Sequence, residues 1–137
     1  MEVLPFPYTG FPSPAGEWVE PSLNLHDLLI LHPTSTFFVR VKGDAMVGAG
    51  IHDGDLVVVD RAPAPADQQV IVAILGDTCT IRRLEVLPGS IVLHAAHPAY
   101  LPLDVTHRLD FHVWGVITFV LHPLLASVRD RFGRLGS

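Results

Sequence analysis

From Thr36 onward the chain breaks into six short runs: TFFVRV, DLVVVD, QQVIVAIL, TCTIRRLEV, SIVLHA and FHVWGVITFVL. Each is rich in Val, Ile, Phe or Thr, and clusters of Gly, Pro or Asp separate them. Such runs are too short and too β-branched for a helical core, so they predict a body built from strands. Strands 36–41 and 78–87 are read as alternating polar with apolar residues. Strands 56–59 and 70–75 are continuous apolar runs, which predicts burial on both faces. The expectation is a mainly β fold, a bent sheet or partly closed barrel, with one or two short helices and an extended N-terminal arm.

The flanks follow different rules. Residues 1–22 hold five prolines and no lasting period, which predicts an arm rather than a folded element. Asn24 offers an N-cap, Asp27 imitates a capping box, and Leu25, Leu28 and Leu29 follow at helical spacing until Pro33. In the tail, Pro123 can open a second helix with Leu124, Val128 and Phe132 on one stripe. Arg129, Arg131 and Arg134 sit toward its C-terminal end, where cations suit the dipole, and fraying is expected after Gly133. The chain thus divides into an arm (1–22), a folded domain (23–122) and a partly helical tail (123–137).

A chain of 137 residues is one domain by size and can bury a core without staples. Its single cysteine, Cys79, excludes an internal disulfide, and a reducing cytoplasm is the expected location. Mean hydropathy is +0.40, yet no apolar run reaches the roughly 18 residues that span a bilayer, so no membrane role is expected. The start, MEVLPFPYTGF, lacks the pattern of a signal peptide. Net charge is −5 and Lys42 is the sole lysine. Displacing counterions from DNA needs basic charge, so contact with DNA is expected only through a partner.

The stretch VKGDAMVGAGIHDGDLVVVD carries the most information about chemistry. Gly43-Asp44-Ala45-Met46, followed by Gly50 and by Asp53-Gly54-Asp55, resembles the LexA/UmuD family of self-cleaving serine peptidases, whose first motif reads Gly-Asp-Ser-Met. Thr80-Ile81-Arg82-Arg83-Leu84 resembles the strand that carries the family's catalytic lysine. Gly10-Phe11-Pro12-Ser13-Pro14-Ala15 is similar to the segment just after the UmuD cleavage bond. The likeness runs from about Thr9 to Val120 and is specifically UmuD-like.

The resemblance implies a Ser-Lys dyad at Ala45 and Arg82, and neither residue can perform its part. A serine hydroxyl needs a base, and lysine serves only when burial lowers its pKa. Alanine has no heteroatom, and a guanidinium stays protonated. Lys42 lies outside the position that faces the nucleophile in the family, and His52 is a base with no nucleophile to serve. The expected chain is therefore a pseudo-peptidase. Ala45 could be natural or an engineered Ser-to-Ala change, and arginine at 82 argues for natural loss. The matching cleavage bond is Thr9-Gly10, and only nine residues precede Gly10, which suits a protein that no longer needs cutting.

The family further implies a homodimer, a UmuC-like Y-family DNA polymerase as partner, contact with a RecA-type recombinase filament, and a place in the SOS response. The proline-rich arm is the expected partner-contact segment. Rival readings are a self-processing peptidase trapped by mutation, or a decoy that dimerises with an active relative. A repressor acting alone is not expected, because residues 1–35 show no helix-turn-helix pattern. Val113, Trp114, Val116, Thr118 and Val120 form the candidate dimer strand, with Trp114, Val116, Thr118 and Val120 assigned to one face and Val113, Ile117 and Phe119 to the other.

Other constellations receive structural readings. His94 and His97 are read as turn or surface histidines, since positions three apart on a strand point to opposite faces. The acidic turn at Asp53 and Asp55 lacks the ligands of a calcium loop. Gly43 and Gly50 are assigned to turns, and Cys79 to a packed position in its strand. No metal or cofactor is expected.

Overall fold

The computed structural model describes residues 24–134. The arm expected at 1–22, with Thr9 and Gly10, lies outside the described residues. Seven strands form one antiparallel sheet in the order β1-β2-β7-β3-β4-β5-β6. They are β1 (Thr36–Arg40), β2 (Leu56–Asp60), β3 (Val70–Leu75), β4 (Thr78–Leu87), β5 (Ser90–His94), β6 (Leu103–Asp104) and β7 (Phe111–Leu121). The edges β1 and β6 do not pair with each other, so the sheet is open.

The continuous apolar runs take the inner positions, as expected of strands with no polar face. Val57, Val58 and Val59 of β2 and Ile71, Val72 and Ala73 of β3 are all essentially inaccessible. The long β7 runs between them and pairs with both. Val41, Met46, Ile51, Val57, Val59 and Val72 make one core cluster. Ile71, Ala73, Leu84, Leu93, Val105 and Val116 make the other, so successive residues of β3 feed opposite sides of the sheet, while β2 gives Val57 and Val59 to the first.

Strand β7 does not keep the simple alternation read from its sequence. Its register jumps against β3, where Val72 faces Gly115 and Ala73 faces Val113, leaving Trp114 as the extra residue. It jumps again against β2, where Val58 faces Phe119 and Val59 faces Ile117, leaving Thr118 extra. Each bulge resets the two-residue period. Trp114 therefore packs with Ile117 on the first cluster, while Val113 joins Val116 on the second. The face assignment that grouped Trp114 with Val116 and Val113 with Ile117 is corrected on this ground.

Helix α1 (Leu25–Leu29) is capped as anticipated: the Asn24 side chain accepts from the backbone N–H groups of His26, at 3.0 Å, and Asp27. Helix α2 (Ala126–Arg134) starts three residues beyond Pro123, so Leu124 precedes it and stays exposed. The tail is tied to the sheet by Arg40, which donates to the Phe132 carbonyl at 2.6 Å and lies over the Phe132 ring at 5.7 Å.

Candidate functional site

The loop after β1 is held by backbone geometry before any side-chain chemistry enters. Gly43 and Gly50 adopt φ of 89° and 82°, with open space where a Cβ would be, so it is the left-handed conformation that calls for glycine. The Asp53 carboxylate accepts from the Gly43 N–H at 2.7 Å, and Val41 and Gly54–Asp55 exchange backbone bonds of 2.8 Å. A 3-10 turn, Val47–Ala49, follows. Met46 is buried in the core, and its carbonyl accepts from the N–H groups of Ala49 and Ile51.

Between these anchors sits Ala45, half-buried. Its carbonyl accepts from Ala96 N–H at 2.7 Å, and Gly48 N–H donates to the Ala96 carbonyl at 2.8 Å. The platform is thus stitched to the segment after β5.

Ala45 and Arg82 line the same cavity, about 220 Å³ in volume, together with Lys42, Met46, Thr80 and Ile81. Arg82 lies in β4, paired with Ile71 of β3. Its guanidinium donates to Thr80 Oγ1 at 2.6 Å and to the Ile81 carbonyl at 2.7 Å, and lies over the Tyr100 ring at 5.4 Å. Burial pulls its pKa down, with the Tyr100 charge opposing that, yet an arginine remains a cation at neutral pH. Lys42 is exposed, without the burial by which a lysine becomes a base.

Asp44 completes the rim. Tyr100 Oη donates to Asp44 Oδ1 at 2.7 Å, and His97 Nε2 lies 3.3 Å from Asp44 Oδ2. The Tyr100 hydrogen bond is the main reason that the Asp44 carboxyl sits below its ordinary range and the Tyr100 phenol above its own. The cavity thus presents methyl and guanidinium groups at the two positions that the resemblance assigns to the dyad.

A scan of family models matches Peptidase S24-like over residues 7–118. The chain belongs to this family. Protein SamA of Salmonella typhimurium is 39% identical over 113 residues, covering 82% of this chain and 78% of the relative. Protein MucA of Escherichia coli is 36% identical over 119 residues, covering 84% and 80%. LexA repressor 2 of Pseudomonas putida is 37% identical over 125 residues, covering 88% of this chain and 61% of the repressor. The LexA/UmuD resemblance read from the Gly-Asp-Ala-Met frame is thereby established.

The remaining expected residues fall in separate places. His94 and His97 engage different carboxylates, His94 Nε2 with Glu85 at 2.9 Å and His97 with Asp44. Asp55 is buried and acts within its turn, accepting from His52 N–H at 2.8 Å, and it also meets His122 Nδ1 at 2.5 Å. Cys79 is exposed near the start of β4 rather than packed, because this end of the strand runs out toward the hairpin turn; partial burial still raises its thiol pKa. On the candidate dimer strand, Thr118 and Val120 are exposed, as is Phe119, while Val116 is core. Sequence reasoning missed Tyr100, Ala96 and His122, since each reaches its partner across more than forty residues and no local pattern marks it. No helix among the described residues is long and apolar enough to cross a membrane.

Proposed function

We propose that this chain is a catalytically inactive, UmuD-like accessory subunit of an error-prone translesion DNA polymerase, acting in the cytoplasm in SOS DNA-damage tolerance. The observation that carries the reading is the pairing of Ala45 and Arg82 on one cavity within an otherwise family-like platform. A missing nucleophile alone costs on the order of a million-fold in related serine chemistry. An arginine base position compounds the loss. What remains of value in such a fold is its surface, and the partner implied by the family likeness is a UmuC-like Y-family polymerase.

The same reading includes a homodimer. Phe38, Val58 and Phe119 lie in one row across β1, β2 and β7, and both phenylalanines stay exposed in the single chain. An apolar row flanking a fully buried valine is the kind of surface that a second copy covers.

Three experiments test these statements. The full chain, incubated with an activated recombinase filament, should show no cut at Thr9-Gly10 by mass spectrometry, and neither should Ala45→Ser. Cleavage of the unaltered chain would overturn the inactive reading, and cleavage of Ala45→Ser alone would show that the loss rests on residue 45 and not on Arg82. Affinity isolation from DNA-damaged cells should recover a Y-family polymerase, and its absence would remove the accessory role. For the dimer, sedimentation of the double variant Phe38→Asp, Phe119→Asp should give a monomer where the unaltered chain gives a dimer.

A further inference from the structure

The acidic turn and the end of β7 bring together three side chains that the pseudo-dyad does not use. His52, Asp55 and His122 each offer a ligand atom, all within 4.8 Å of one another. Asp55 is the pivot: its side chain is almost fully buried, and its two oxygens face different imidazoles. Oδ1 lies 2.5 Å from His122 Nδ1, and Oδ2 lies 3.6 Å from His52 Nδ1. The two imidazoles stand with centroids 4.5 Å apart, and both present Nδ1 toward the carboxylate.

One atom in this group stands out. His52 Nδ1 is shielded from solvent and has no hydrogen-bond partner, and it is the one such side-chain atom among the described residues. A shielded imidazole nitrogen whose facing acceptor, Asp55 Oδ2, lies beyond hydrogen-bond reach at 3.6 Å is costly unless a further group bridges the two. We infer that His52, Asp55 and His122 form a binding site for a divalent transition-metal ion of the zinc type.

The geometry and the donor chemistry agree. Ligands at about 2.0–2.1 Å from a tetrahedral ion are about 3.3 Å apart, and the two nitrogen–oxygen separations of 2.5 and 3.6 Å bracket that value. Coordination would widen the Asp55–His122 pair and draw His52 toward Asp55. Two imidazoles and one carboxylate select zinc, cobalt, nickel or copper over calcium and magnesium, which prefer oxygen. Asp55 and His122 open on a cavity of about 430 Å³ whose lining includes Arg40, Arg129 and Phe132. The fourth coordination position therefore belongs to water or a small anion. An ion bound there would pin the turn that follows the Ala45 platform to the end of β7.

Zinc titrated into the full, tag-free chain should bind at one equivalent by calorimetry. Cobalt in its place should give the visible absorption of a tetrahedral ion. A hundredfold excess of zinc over Kd should raise Tm by on the order of 10 °C. Losing an outer partner of a metal ligand costs ten- to a hundredfold in affinity, so His52→Gln or His122→Gln should lose more than about a hundredfold. His94→Gln should bind as the unaltered chain does. If either substitution prevents folding, broadening of the His52 and His122 ring signals by cobalt in the unaltered chain reads the same site. Absence of one-equivalent binding, binding that survives loss of both His52 and His122, or broadening confined to other histidines would overturn the assignment.

Discussion

Arg40 lies between two hollows of opposite character. On one side is the cavity of Ala45 and Arg82, on the other the space bounded by Asp55 and His122. The first holds Ala45 and Arg82, at the two positions that the family resemblance assigns to the dyad. The second has ligand-type side chains and received no functional reading from the sequence. The platform's shape comes from glycine conformations, backbone bonds and the Asp53 carboxylate on Gly43 N–H, none of which uses the side chain at 45. The acidic turn is held by the Asp55 side chain, which accepts from His52 N–H and meets His122. Exchanging the side chain at 45 is therefore cheap, whereas exchanging Asp55 is structural.

That contrast can be broken experimentally. The largest effect is expected for Asp55→Ala in metal-free protein, which strands the His52 N–H and His122 and should cost about 3 kcal/mol in urea denaturation. A loss below about 1 kcal/mol would mean that the turn holds itself. Next comes Gly48→Ala, because a Cβ there would lie 2.7 Å from the Ala96 carbonyl oxygen. The platform must separate from the segment after β5, with an expected loss of about 2 kcal/mol.

Ala45→Ser should then change stability by no more than about 0.5 kcal/mol, since the added hydroxyl faces the cavity. A larger loss would show that the platform is no longer shaped for a serine. The smallest effect belongs to Tyr100→Phe, which removes the main cause of the lowered Asp44 pKa. A carboxylate whose folded pKa is depressed adds stability above its unfolded pKa and loses it as pH falls through the folded value. Tyr100→Phe should move the Asp44 titration up toward its ordinary value of 3.8, seen by NMR, and flatten the acid limb of the stability curve below about pH 4.

Much of this was legible in the chain. Strands β3, β4 and β7 run between the residues that their Gly, Pro and Asp boundaries mark, because those boundaries act locally. The Asn24 cap and the left-handed Gly43 and Gly50 were readable for the same reason. The two-residue β6 was not, since it exists only through pairing with β5. Nor were the bulges at Trp114 and Thr118, which depend on β3 and β2 rather than on β7 alone.

By itself, the sequence determined the strand-built body, the ancestry written in Gly43-Asp44-Ala45-Met46, and the absence of a hydroxyl at 45 and of an amine at 82. These are properties of single residues and short spacings, which the chain carries before it folds. Only the tertiary structure decided that Ala45 and Arg82 share one cavity, that Tyr100 spans from Asp44 to Arg82, and that His122 meets Asp55 from sixty-seven residues away. Such meetings depend on the register of paired strands. A register is a property of two segments at once, and neither segment states it alone.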